Sequence, residues 1–376
     1  MRPPTSAQGA DMSGSYHVPS MREIEQIPWN GYNVVSTFSG GGGSCLGYRM
    51  AGYRVLWSNE FIPAAQDTYR ANHPNAYLNT SDIRNVTPEQ VLEESGMEVG
   101  EIDIFDGSPP CAAFSTAGAR EKHWGKAKKY SDTVTRVDDL FFEYTRLLKG
   151  LQPKTFVAEN VSGLVKGVAK GYFKNIISEM KNCGYEVKAR LLNAKYLGVP
   201  QARERIIFVG VRKDLCDMFD VHPTHPKPSL PIYTVGDALE NVEQDDEQRA
   251  WLIREWANTI TGRDAQKMPK NPDKVIYWAS FSGTGSKFNL IRASLKHPSN
   301  TILQTCSIGA AMPMHPLEDR TYTIPELKRI TSIPDDFILT GTYEQQWERL
   351  GRMVPPVMMS KVAKTVQTEI LDKIGE

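Results

Sequence analysis

The stretch Asn33–Gly43 (NVVSTFSGGGG) decides the fold. Asn33–Phe38 carries a short β-branched run and reads as a strand, and a helical pattern opens at Ser44–Ala51. The glycines between them let the backbone approach a ligand closely. No Lys-Ser or Lys-Thr pair follows, which excludes a Walker-type phosphate loop. Outward from this unit the same alternation continues. Arg54–Ser58 is a strand, Pro63–Asn72 a helix and Ile102–Phe105 a strand. Leu140–Leu151 is a helix with Leu140, Tyr144, Leu147, Leu148 and Leu151 on one stripe. Thr155–Ala158 (strand), Tyr172–Asn182 (helix), Val187–Leu192 and Ile206–Val211 (strands) complete the series. Such alternation predicts an α/β fold, a doubly wound and mostly parallel sheet.

The texture changes after Val211. Residues 213–318 hold many prolines and little periodicity, as expected of a second, smaller, irregular domain. A helix returns at Ile324–Ile330, and Val362, Val366, Ile370 and Ile374 form a stripe that must pack on something, the first domain being the expected partner. The division expected is a flexible N-terminal tail over 1–30, a sheet domain over 31–212, the irregular domain over 213–318 and a completing segment over 319–376.

The 376 residues are 40% hydrophobic and 23% charged, with formal net charge +0. That profile excludes a disordered chain and a polyanion-coating one, so nucleic-acid contact must rest on local basic patches. No apolar run is long enough to span a membrane and the N-terminus has no apolar core, so neither a span nor a signal peptide is expected. The five cysteines form no CxxC pair; a disulfide framework and a zinc site fit poorly, no metal is expected, and a reducing cytoplasm fits well.

In open α/β sheets ligands sit beyond the carboxyl ends of strands. Glu60 follows the second strand; a carboxylate there suits a ribose diol, although surface glutamates are common. Asp82 is either a helix cap or an acceptor for an adenine amino group. Cys111, behind Pro109-Pro110, is a thiol on a stiffened turn, placed for attack; a lone cysteine can equally be inert and buried. Glu159 ends the fourth strand and suits a general acid. Gln201, Arg203 and Arg205 would share one face of an extended segment, where two arginines invite an anion or a carbonyl, or pair with acids at a solvated edge.

The ordered set FSGGGGSCLGYRMAGY, SNEF, GSPPCAAFSTAG, ENVSGL, QARERIIFVGVR, RTYTIPELKRITSIPDDF and GRMVPP resembles the cytosine-C5 DNA methyltransferase family from Val34 to about Ala363. The resemblance implies a Rossmann-like methyltransferase sheet, with the irregular region serving as the target-recognition domain. It makes Cys111 the nucleophile at C6 of cytosine, Glu159 the partner of N3, and Arg205 the holder of the base carbonyl with Arg203 in support. Phe38, Gly40, Gly42, Gly43, Glu60, Phe61, Asp82, Ile83, Gly107, Pro109, Leu140, Arg352 and Val354 would line the S-adenosylmethionine pocket. It further implies a duplex-DNA partner, a flipped-out base and a monomer. Host context, whether a restriction pair, a phage or an orphan system, stays open.

Beyond Cys111, Ser115 and the basic run Arg120, Lys122, Lys126, Lys128 and Lys129 fit a DNA-side loop, and Lys287, Asn289 and Arg292 are recognition-domain candidates for base or phosphate contact. Two positions depart from the family pattern. Ala112 stands where Gln is usual, and Arg352 stands where the last motif usually has Asn. A guanidinium beside the donor would match a transferred group carrying a carboxylate, which makes carboxy-S-adenosylmethionine an alternative donor and 5-carboxymethylcytosine an alternative product. A transfer-RNA-modifying branch of the family is a further alternative; its Cys-Phe-Thr cue is missing from this sequence.

Overall fold

The computed structural model describes residues 15–110, 128–130, 133–135, 140–165, 169–283, 290–307 and 310–375. Its centre is a seven-stranded sheet. The strands are β1 (Asn33–Thr37), β2 (Arg54–Asn59), β3 (Tyr77–Asn79), β4 (Ile104–Gly107), β5 (Thr155–Val161), β6 (Tyr185–Asn193) and β7 (Glu204–Arg212), in the order β3-β2-β1-β4-β5-β7-β6. Neighbours from β3 to β5 pair parallel, while β7 runs antiparallel to both β5 and β6. Because β7 is reversed, its first residues lie at the same sheet edge as the carboxyl ends of β1, β2, β4 and β5. Every residue of β4 is buried, as is all of β5 except its last, Val161. That is the pattern of a sheet covered on both faces, and it explains the continuous apolar runs of the sequence.

Three helices keep the bounds the sequence predicts: Pro63–Asn72, Leu140–Leu151 and Ile324–Ile330. Strand ends shift. Phe38 leaves β1 at φ +53°, starting the glycine turn, and β4 begins at Ile104 rather than Ile102. Elements outside that reading include helices Lys213–Phe219 and Tyr343–Arg352, the three-residue β3 and helix Pro88–Ser95. The helix carries its own marks: a Thr87 cap, Pro88 in its first turn and left-handed Gly96 at its end.

Helix Pro356–Val366 and the turn after it pack beneath the sheet. Met358, Val362, Val366 and Ile370 share a core with Val34, Tyr48 and Ile207, as the stripe predicts. Region 213–318 is less irregular than its prolines suggest and holds helix Asp246–Ala257 and shorter helices. Its core, with Leu252, Trp256 and Met314, continues into Tyr322, Ile330, Trp347 and Met353. The described part of the expected flexible tail is folded onto this second core. Ser20 and Glu23 form a capping box, Ile24 is buried, and the Tyr16 hydroxyl donates to the Arg329 carbonyl at 2.7 Å. No helix among the described residues is long and apolar enough to cross a membrane.

Candidate active site

A cavity of about 700 Å³ opens at the shared sheet edge. Of the positions expected there, Phe38, Gly40, Gly43, Glu60, Phe61, Asp82, Ile83, Pro109, Leu140, Glu159, Arg203, Arg205, Arg352 and Val354 line it. Gly42 and Gly107 do not. Gly42 sits at φ +91° with the space for a Cβ taken by the His73 ring, and a Cβ on Gly107 would strike Tyr144 and Thr37. Both glycines shape backbone behind the wall.

At one end the wall is backbone and apolar surface with two carboxylates, Glu60 and Asp82. Glu60 is buried; its Oε2 accepts the Gly40 N–H at 2.7 Å and its Oε1 the Ile62 N–H at 2.6 Å. Burial raises its carboxyl pKa, and those two N–H groups with the charges of Arg349 and Arg352 work against the rise. Gly40 has φ +56° and open space where a side chain would be. Gly43 is pressed against the Val354 carbonyl and Met353. Asn59, unremarked in the sequence, bonds Asn79 Oδ1 at 3.2 Å and the Ser81 carbonyl at 2.9 Å, which fixes the end of β2 against the turn bearing Asp82. Asp82 caps its own short helix, accepting from the Arg84 N–H at 3.1 Å and from its guanidinium at 3.0 Å, while still facing the cavity. Phe61 is 39% exposed and Ile83 only 3%, so the two flank the mouth unequally.

The other end is charged. Arg205 Nε lies 2.5 Å from Glu159 Oε1, both largely buried. The register explains the pairing, since Ile207 faces Glu159 across β5 and β7 and Arg205 faces Val161. Asn160 donates to the Pro109 carbonyl at 3.1 Å, tying the end of β5 to the turn that leads into Cys111. Behind that turn, burial pushes the Asp106 carboxyl up to about 7, against hydrogen bonds from Ser36 and Tyr48.

Arg203 shares the cavity wall with Arg205 and is enclosed behind it. It is 1% exposed, and it donates to the Ile302 carbonyl at 2.9 Å and the Gly351 carbonyl at 2.8 Å. It joins Ile302, in region 213–318, to Gly351 of the last motif. Arg352 is on the wall, with Nε 2.8 Å from Glu348 Oε1 and Nη2 2.8 Å from the same oxygen. Arg292, expected at DNA, is wholly buried. Its guanidinium meets Asp319 at 2.7 Å and the Ala265 and Glu318 carbonyls at 3.0 Å, and a buried charge paired with an acid in this way is not offered to a phosphate. Lys128 and Lys129 lie on a short antiparallel ribbon with Thr133–Thr135. Cys111, Ala112, Ser115, Arg120, Lys122, Lys126, Lys287 and Asn289 lie outside the described residues.

Comparison with known proteins agrees with this arrangement. The family described as C-5 cytosine-specific DNA methylase matches residues 32–368. Type II methyltransferase M.PspPI of a Psychrobacter species is 31% identical, with 92% of this chain and 81% of that protein covered. M.NgoPII of Neisseria gonorrhoeae is 29% identical over 92% of this chain and 98% of its own length. Among solved structures, a DNA modification methyltransferase encoded within an Escherichia coli prophage has a TM-score of 0.64 at 20% identity, covering 91% of this chain and 99% of that one. A Spodoptera frugiperda DNMT2 variant has 0.61 at 17%, covering 92% and 100%. These two establish the likeness of fold. The match over 32–368, with a wall built from the same ordered motifs, makes the chain a member of the C-5 cytosine-specific DNA methylase family.

Proposed function

We propose that the protein transfers a methyl group from S-adenosylmethionine to C5 of a cytosine flipped out of duplex DNA. The observation that carries this reading is the single cavity. It joins the Gly40–Glu60 end to the Glu159–Arg205 end, with the turn preceding Cys111 between them. The first end fits the donor: an open glycine backbone, one buried carboxylate for hydroxyls, and apolar flanks in Phe61, Ile83 and Leu140. When bound there, the donor supplies an electrophilic methyl carbon on a sulfonium. Cys111, as the thiolate, bonds to C6 of the ring. Glu159 holds a proton at N3, so the electron pair released by that addition is accommodated and C5 becomes nucleophilic. Arg205 holds both Glu159 and the base carbonyl. C5 would take that methyl carbon as its bond to the sulfonium sulfur breaks and the donor leaves as a neutral thioether; release of the C5 proton to water, with cleavage of the bond from Cys111 to C6, then restores the ring and the thiolate. A stacked base exposes none of these atoms to such groups, which is why flipping is required. The polypeptide acts as a monomer with the 31–212 segment as its catalytic body.

A second reading rests on Arg352, a guanidinium on the donor wall: transfer of a carboxymethyl group from carboxy-S-adenosylmethionine. Glu348 already neutralises part of that charge, which favours the methyl reading. Mass spectrometry of nucleosides from duplex DNA incubated with each donor separately decides. Methylcytosine from S-adenosylmethionine, lost in Cys111→Ala, is the expected result. Carboxymethylcytosine at comparable yield, reduced in Arg352→Asn, would transfer the assignment to the second donor. Modification of transfer RNA with none of DNA would overturn the choice of substrate.

A further inference from the structure

The edge of the sheet opposite the cavity carries a cluster that the transfer reaction does not use. Glu186 is the second residue of β6, Cys216 lies in helix Lys213–Phe219, and His222 opens the segment leading into the recognition region. A carboxylate oxygen, a sulfur and a ring nitrogen from these three residues all lie within 4.8 Å of one another. His222 Nδ1 is 2.8 Å from Glu186 Oε2, and its Nε2 is 3.5 Å from Asp220 Oδ1. Cys216 is 6% exposed, its thiol aligned with the Val211 carbonyl at 3.7 Å, whereas the His222 side chain is half exposed. The cluster is therefore walled on the sulfur side and open on the imidazole side.

We propose that Glu186, Cys216 and His222 bind a divalent cation of borderline softness, Zn²⁺ or Co²⁺, as a clasp joining β6, the helix and the crossover into the recognition region. The donor set is the reason. Thiolate, imidazole and carboxylate together suit Zn²⁺, whose bonds of about 2.0–2.3 Å set its ligands roughly 3–4 Å apart. The observed spread of 4.8 Å or less needs only a small side-chain adjustment to reach that. The second carboxylate has the place of an orienting group. A metal-bound imidazole commonly donates its other ring N–H to an acid, and Asp220 stands at that nitrogen, held there by a left-handed backbone at φ +51°. The fourth coordination position faces solvent and takes water. Binding releases the Cys216 proton to solvent and replaces the contact between His222 and Glu186 with two bonds to the ion. No paired-cysteine spacing announces this site, because its ligands are 30 and 6 residues apart and meet only through the pairing of β6 with β7.

The reduced full-length protein, titrated with Co²⁺, is expected to give one equivalent of a thiolate-to-cobalt absorption band per chain. Zn²⁺ should displace it and raise the melting temperature. Cys216→Ser and His222→Ala should each abolish the band, and Asp220→Asn should weaken Zn²⁺ binding about 10-fold against a competing chelating dye. His222→Ala changes an exposed side chain and remains informative if Cys216→Ser fails to fold. A band that persists in His222→Ala, or no band and no thermal shift in the parent, overturns the proposal. Neither result bears on DNA modification, since the cluster is a strand length, about 20 Å, from Arg205.

Discussion

The two ends of the cavity are built from opposite materials. At the end proposed for the donor, Gly40, Gly43, Phe61, Ile83 and Leu140 supply backbone and apolar surface, and the charged groups are already paired, Glu60 by two N–H groups, Asp82 by Arg84 and Arg352 by Glu348. At the base end, Glu159 and Arg205 form a close ion pair. A ligand recognised by shape and hydroxyls needs a preformed cradle, whereas a ring that must be polarised needs groups able to hold and move a proton. The first end should therefore govern binding and the second turnover.

The sharpest way to break that distinction is Glu159→Gln. It keeps the shape and a hydrogen bond but removes the acid, so single-turnover rates should fall roughly 10²- to 10⁴-fold while donor affinity by calorimetry stays within a few-fold. Equal losses in both would mean that the ends are not separable. Next comes Glu60→Ala, which leaves two backbone N–H groups unpaired beside the donor. Donor Kd should weaken roughly 10- to 100-fold with DNA affinity unchanged. A smaller effect belongs to Phe61→Ala. The ring is already 39% exposed, so its removal should cost donor binding only about 5-fold.

The mildest prediction concerns Asp106, behind the turn that separates the ends. Its native carboxyl pKa, about 7, lies above its ordinary value of 3.8, so between those values the folded protein binds the proton more readily than the unfolded one. The stability from this group is complete below about pH 4 and is lost as pH rises through about 7. Thermal melts across pH 5–8 should therefore be flatter for Asp106→Asn than for the parent. An unchanged slope would remove Asp106 from the account.

What the sequence made legible follows from the range of the interactions involved. Helix Leu140–Leu151 shows a full apolar stripe and helix Pro63–Asn72 begins with a proline in its first turn; such signals are local and set the bounds directly. Helix Asp246–Ala257 buries only Leu252 and Trp256, too few for a stripe, so its region looked shapeless. The ordered motifs located Glu60, Glu159 and Arg205 because each stands at a strand end. Arg203 and Arg292 are ambiguous in sequence for a shared reason. A buried arginine and a ligand-holding one look alike in sequence, and only the carbonyls of Ile302, Gly351 and Ala265, each 27 residues or more away, tell them apart. The bond from Asn160 to Pro109 was illegible on the same ground.

The packing of helix Pro356–Val366 under the sheet has a consequence for the order in which the protein is made. The strands are synthesised by Arg212, yet the core of Val34, Tyr48 and Ile207 is completed only when Met358 and Val362 arrive nearly 150 residues later. A ribosome must therefore translate the whole intervening region while the floor of the sheet is only partly covered. The interval suits chaperone capture, and a fragment ending at Arg212 should be insoluble unless a peptide spanning 356–374 is supplied with it.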